Sequence, residues 1–369
     1  TPLPTDIRGM GTWFAEAGYD TAYFGKWHLN FPMTSHDHHG FALADVLNNT
    51  GHDPEIAAAA ARYLKAPHDR PFLAVASFCD PHDVCQWADG RSLPGGVLPT
   101  PPSPAELPPV PVNVAPTRDG GDILEDLRLA YRQVHVPQEV DTAEGVRRCR
   151  ELAWGYHRLI ERMDTHLGTV LEALRESGNE ENTVVVYTSD HGELLGAHGL
   201  VQKTFFYEEA VHVPFFMSRP DRRQAACDRL INASVDLLPT LLQCAGLSVP
   251  DFLPGHSVLP AMEHSEGGAW RDWVVSEVHF CHPKMGDLAP HTYGRMVRSE
   301  HYSYWLFDQG RDREALFDAD TDPEETQNVA RSAGHGEIIL RHREFLNQHA
   351  ARTADAQAAK MLRSMEDTR

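Results

Sequence analysis

Apolar residues recur along this chain in two rhythms, and the alternation between them lays out the elements. Leu152, Tyr156, Leu159, Ile160, Met163, Leu167, Val170, Leu171 and Leu174 fall on one stripe at helical spacing. They predict a helix over 146–177 that Gly178 closes. Further helices are predicted over 7–17, capped by Thr5 or Asp6, and from Asp53-Pro54-Glu55 through an alanine-rich run to Lys65. Two more cover 235–244 and 336–349, and the polar tail after Ala350 reads as a loosely attached helix. Between them stand short runs rich in β-branched and aromatic residues at 21–24, 71–78, 184–187 and 213–217. Continuous apolar runs of that length read as strands buried on both faces of a parallel sheet. Alternating helices and strands argue for a mainly parallel sheet flanked by helices. Beyond about residue 270, strands at 274–278, 293–297 and 302–307 are joined by turns, which predicts a smaller antiparallel sheet packed with a helix. The division expected is 1–268 for the α/β part and 269–369 for the C-terminal part. A proline-crowded stretch, 94–116, reads as an irregular excursion.

Composition narrows the classes. The 369 residues are 41% hydrophobic and 23% charged, as in a globular protein with a large core. A net charge of −20 argues against nonspecific nucleic-acid binding and against an anionic membrane surface. No apolar run approaches the roughly 20 residues of a spanning helix. The six cysteines are scattered without a Cys-x-x-Cys pair, which favours free thiols and a reducing, cytoplasmic setting.

The ends of the predicted strands carry the chemistry. Ligands bind outside the carboxyl ends of parallel strands, and there the sequence sets Lys26 and His28, then His82, then Asp190 and His191, with Lys203 in the loop beyond. Asp next to His is an ordinary pair of divalent-metal ligands, and it is equally an ordinary turn that caps a helix. Lys26 and His28 on one side of an extended segment suit an oxyanion; the plainer reading is a surface lysine and a histidine beside a buried Trp27. Pro81 fixes the direction of the chain before His82. His36, His38, His39 and His52 lack regular ligand spacing and read as a polar loop. Together the strand ends describe a cationic, metal-capable site for a tetrahedral oxyanion.

These residues resemble a known family. Ala17-Gly18-Tyr19-Asp20-Thr21 with Gly25-Lys26-Trp27-His28-Leu29, the segment ending Pro81-His82, and Ser189-Asp190-His191-Gly192 with His198-Gly199 and Lys203 resemble signatures of the sulfatases of the alkaline phosphatase superfamily. Arg298, Tyr302, Glu314 to Asp318, Asp322-Pro323-Glu324 and Asn328 extend the likeness to the C-terminal part. The resemblance implies an alkaline-phosphatase-like fold and hydrolysis of a sulfate monoester on a small molecule or saccharide. It implies Asp190 and His191 as ligands of a divalent cation, usually Ca2+, with Mn2+ or Zn2+ as alternatives. Lys26 and His28 would hold the nucleophile and a sulfate oxygen; His82 and Lys203 would bind the sulfate and assist the leaving oxygen. His after Asp is also the form of phosphonate-monoester and phosphodiester hydrolases of the superfamily.

One departure stands out. The family nucleophile is a formylglycine made in a Cys/Ser-x-Pro-x-Arg motif, and no cysteine of this chain sits in one. The family's two further metal-ligating acids, on a first strand, have no match either. The expectation is a sulfatase-like chain lacking an N-terminal segment and inactive by itself, with a non-catalytic binding protein as the alternative. A central strand missing from a parallel sheet would leave unpaired backbone and an apolar groove, and so favour association with another copy or with a missing fragment.

Overall fold

A computed structural model describes residues 8–29, 32–45, 52–134, 142–220, 226–263, 270–281 and 291–366. The expected cap at Thr5 or Asp6 lies outside them. The first helix, α1 (Met10–Glu16), leads into β1 (Asp20–Gly25), followed by the short α2 (His36–His39) and β2 (Leu43–Asp45). Then come α3 (Asp53–Lys65), β3 (Phe72–Ser77) and α4 (Val84–Ala88). No helix or strand interrupts the chain from there to α5 (Gly121–Val134), which leaves the proline-rich stretch irregular. Helix α6 (Ala143–Glu176) is 34 residues long and is capped by the Thr142 hydroxyl, which accepts the Gly145 amide at 3.0 Å. It is followed by β4 (Val185–Thr188), α7 (Glu208–Val211), β5 (Phe215–Ser218), α8 (Ala233–Cys244) and α9 (Leu259–Glu263).

Strands β2, β1 and β3 form a parallel sheet in that order. At its end Gly25 has a φ of 110°, and a Cβ there would lie 2.1 Å from the Ser77 carbonyl oxygen. Only glycine allows the backbone of β1 to turn that closely over β3. The Asp190-bearing strand departs from expectation. Its one ladder partner among the described residues is β5, antiparallel, and no hydrogen bond joins β4 to β3. Both strands end at the same site, so they run the same way with a gap between them. Every residue of β3 and β4 is half-buried, although the sequences are those of fully covered strands.

That gap is a cavity of about 1060 Å³, lined along its length by both strands. The stripe of α6 explains its floor. Leu152, Leu159, Met163 and Leu174 are buried as expected, whereas Ile160 and Leu171 are exposed. Leu167, Val170 and Leu171 face the cavity.

The C-terminal part is an antiparallel meander of β6 (Trp273–Cys281), β7 (His291–Ser299), β8 (Tyr302–Phe307) and β9 (Glu314–Asp318), followed by α10 (Gly336–Thr353) and α11 (Ala356–Glu366). Along β8 the side chains alternate between two cores. Tyr304 and Leu306 pack among residues of α10 and α11, while Trp305 and Phe307 pack with Phe205, Phe206 and Tyr207 of the larger part. The tail is more firmly held than its polar sequence indicates. Ala358 and Met361 are buried, and Arg295 holds Asp355 in a two-pronged ion pair at 2.7 and 3.1 Å. Alternating charges hide a small apolar face that only packing reveals.

Candidate functional site

The residues following β1, β3 and β4, with the loop carrying Lys203, line one end of the cavity. After β1, Lys26 is not a surface lysine: its side chain is 12% exposed and its Nζ lies 3.5 Å from Asp190 Oδ2. The Tyr23 hydroxyl donates to the Lys26 carbonyl at 2.5 Å and steadies the turn. His28 lines the same cavity but is exposed at its rim.

After β3, the chain turns through a cis Asp80–Pro81 bond to His82. This turn is pinned from two sides, by Asp53 and by Arg162. Asp53, expected as a helix cap, instead lies inside α3 and accepts the amides of Cys79 at 2.8 Å and Asp80 at 2.9 Å. Arg162 of α6 forks onto Asp80 at 2.6 and 3.1 Å and reaches within 3.9 Å of Asp83. Nothing in the sequence pairs residues 80 and 162; the one available signal was an arginine set on the inner stripe of α6. Cys79, His82 and Asp83 each bring a ligand atom within 4.8 Å of the others. The Cys79 thiol already donates to Asp83 Oδ1 at 3.6 Å, and Arg162 supplies a counter-charge.

After β4, the His191 Nδ1–H donates to the Gly192 carbonyl at 2.8 Å. Its other nitrogen, Nε2, then carries the lone pair and lies 3.6 Å from Asp190 Oδ2. Two lone-pair donors facing one another fit one edge of a divalent cation's coordination shell. Gly192 is required by close approach, since a Cβ would stand 2.0 Å from the Glu209 carbonyl oxygen. The next residue, Glu193, is half-buried and accepts the backbone amides of Gln202 and Leu195, which fixes the loop that brings Lys203 in. Burial raises the Glu193 carboxyl.

The electrostatics follow from two lysines meeting two imidazoles in a partly dry pocket. Burial, then the charges of Lys203, Lys26 and His191, push the His82 imidazole down to about 4, with Asp190 opposing. His82 Nδ1 is buried and has no hydrogen-bond partner among the described residues. His191 is lowered by burial and the same lysines, against the Gly192 carbonyl and Asp190. Burial works to raise Asp190, but His191 and Lys26 outweigh it and its carboxyl sits below the usual range. The pocket therefore sets histidines with lowered values between two lysines, a field that an anion relieves.

Two other histidines are tied into the fold. His39 of the histidine-rich stretch is buried, accepting the Phe41 amide on Nδ1 and donating from Nε2 to the Met33 carbonyl. It is a structural histidine rather than part of a polar loop. His198 is also buried, bonded to Asn113 and Thr117 and stacked on Tyr207 at 3.5 Å.

Comparison with known proteins places these features in context. The family profile described as Sulfatase matches residues 1–247, and that of the N-sulphoglucosamine sulphohydrolase C-terminal region matches 196–352. A Delta 4,5-hexuronate-2-O-sulfatase of Bacteroides thetaiotaomicron is 29% identical over 96% of this chain and 74% of its own length. Human arylsulfatase K is 33% identical over 47% of this chain, a match that spans 33% of that protein. Among solved structures, a 2-O GAG sulfatase superposes with a TM-score of 0.77 at 25% identity, covering 97% of this chain and 77% of the other. A phosphonate monoester hydrolase of Agrobacterium radiobacter, 22% identical with a TM-score of 0.69, shares the fold over 95% of this chain and 81% of its own.

Proposed function

The chain belongs to the sulfatase family of sulfuric ester hydrolases, and on that footing we propose that the pocket at the ends of β1, β3 and β4 takes the sulfate group of a sulfated saccharide. The observation that carries this reading is the meeting of Lys26, His82, Asp190, His191 and Lys203 at one end of one cavity, from three strands and a separate loop. A sulfate monoester spreads its charge over three free oxygens. Two ammonium groups and two imidazoles offer donors to those oxygens in a site partly closed to water, where charge-assisted hydrogen bonds are strong.

Asp190 Oδ2 and His191 Nε2 would hold a divalent cation at the rim, Ca2+ being the expected one. Bound there, the ion would act as a Lewis acid on a sulfate oxygen. The chain's own groups do the rest. Lys26, with His28 at the rim, orients one oxygen and the attacking group. His82 and Lys203 face the bridging oxygen, and one of them delivers a proton as the alcohol leaves. Arrival of the anion offsets the two lysines and lifts His82, so the proton is taken up as the substrate binds. No cysteine of residues 1–369 sits in a Cys-x-Pro-x-Arg motif, and the serine that fits the spacing, Ser218, pairs with Val185 at the end of β4 away from the site, so these residues alone would bind the ester without turning it over.

The hexuronate-2-O-sulfatase relative points to a 2-O-sulfated hexuronate as substrate. Calorimetric titration of a disaccharide bearing that group tests the reading. Binding should require the sulfate and weaken at least about tenfold in His82→Ala and Lys203→Ala, each having lost a hydrogen bond to a charged group. Equal binding by these variants, or by the desulfated sugar, overturns it. The Asp190-His191 pair also favours a second reading, a phosphonate monoester. A methylphosphonate ester bound more tightly than its sulfate counterpart decides for that one.

A further inference from the structure

The turn after β3 carries a second set of donors, made of other residues than the Asp190–His191 pair. Cys79, His82 and Asp83 each place one ligand atom within 4.8 Å of the others. Cys79 and Asp83 are 3% and 0% exposed. Their bonding capacity is not fully used. Asp83 Oδ1 accepts from the Cys79 thiol, but Asp83 Oδ2 and His82 Nδ1 are buried and have no hydrogen-bond partner among the described residues. Arg162 does not fill this need, because its fork is spent on Asp80 and its Nη2 stands 3.9 Å from Asp83 Oδ2. Asp53, Asp80 and Asp83 are all buried, and among the described residues their ion pairs go to this one guanidinium. Buried carboxyl groups in excess of their counter-ions leave a place for a further positive charge.

We propose that Cys79, His82 and Asp83 form a binding site for a thiophilic divalent cation of the Zn2+ class, with a fourth position open to the cavity. The donor set selects the ion. Ca2+ and Mg2+ take oxygen ligands, whereas a thiolate with an imidazole and one carboxylate suits Zn2+. The span is also right: bonds of about 2.0–2.3 Å to one ion leave its ligand atoms about 3–4 Å apart, so the three side chains need close only slightly. Their backbone is held for it. The His82 amide donates to the Cys79 carbonyl at 2.9 Å, and Asp53 accepts the Cys79 amide at 2.8 Å. Cys79 and His82 line the cavity while Asp83 does not, so the side of the ion left open faces the cavity. Binding breaks the Cys79 S–H bond and forms a metal–sulfur bond, and the proton leaves to solvent. No electron is transferred.

Titration of the reduced whole chain with Co2+, in saturating Ca2+ to occupy oxygen-ligand sites, tests the proposal. Cobalt should give a near-ultraviolet thiolate-to-metal charge-transfer band that saturates at a single equivalent, and Zn2+ should bleach it. Cys79→Ser should lose the band and keep its circular dichroism. Cys85→Ser and Cys227→Ser should retain the band, since neither thiol belongs to the cluster. His82→Ala removes a half-buried ring whose Nδ1 bonds to nothing among the described residues, so it should fold. It should bind Co2+ at least about tenfold more weakly, the scale on which even outer partners of a metal matter. This second variant decides the matter if Cys79→Ser does not fold. No charge-transfer band in the unaltered chain, a band that survives Cys79→Ser or is lost in Cys227→Ser, or equal Co2+ affinity in His82→Ala would each overturn the proposal.

Discussion

Lys26 Nζ lies 3.5 Å from Asp190 Oδ2, across 164 positions of sequence and across the mouth of an open slot. The two follow strands of different sheets, β1 and β4, so the pair marks where two sheets converge on one site. Asp190 is 64% exposed, and an ion pair of that kind contributes little to stability, about 0–1 kcal/mol. Its value is in holding a cation where an anion arrives. Lys26→Met is expected to leave the thermal transition nearly unchanged and to weaken binding of a sulfate ester about tenfold to a hundredfold, as one charge-assisted hydrogen bond is lost. Scanning calorimetry beside isothermal titration checks both halves; unchanged affinity would remove Lys26 from the site.

His82 should read the charge of the pocket directly. Its folded value is about 4 against 6.5 for a free imidazole, so the folded chain binds fewer protons than the unfolded chain between those limits. Stability therefore falls as pH drops from about 6.5 towards 4, and His82→Gln should flatten that part of the curve in urea titrations. Saturating sulfate screens Lys26 and Lys203 and should raise the His82 titration midpoint, followed by imidazole NMR. A midpoint near 6.5 in the free protein, indifferent to sulfate, contradicts the geometry.

Arg162 and Asp80 form the buried pair beneath that histidine, with side chains 15% and 1% exposed. Burial lifts the Asp80 carboxyl to about 6, with Asp53 and Asp83 adding to it, in spite of the arginine fork. Arg162→Met strands these carboxylates and should cost about 3–5 kcal/mol at neutral pH. Part of that loss should return as pH falls and the carboxylates protonate. A melting temperature that stays low, or never falls, between pH 7 and 5 would show that the pair does not carry the turn.

The hydrophobic pattern was sufficient for most elements, because helical and strand spacing are local properties of the chain. The long α6 helix, the β3 run and the C-terminal meander fall within a few residues of their expected positions. Lys26, His82, Asp190, His191 and Lys203 were legible because strand ends are where a parallel sheet binds ligands, and the structure brings all five to one cavity. Contacts between distant segments were not legible. Asp53 looked like a helix cap because its neighbours are a proline and a glutamate, yet its carboxylate serves amides 26 and 27 residues away. Arg162 looked like one charge among many on a helix. His28 shares the turn of Lys26, but the chain carries it out to the rim.

The sequence by itself determined which segments are helix or strand and which side chains stand at strand ends, because spacing, capping and turn chemistry act over a few residues. Only the tertiary structure decided which strands pair. It left β4 with β5 and apart from β3, since ladder hydrogen bonds depend on what lies alongside in space. The same packing set Arg162 under His82 and opened a strand-shaped gap beneath the site.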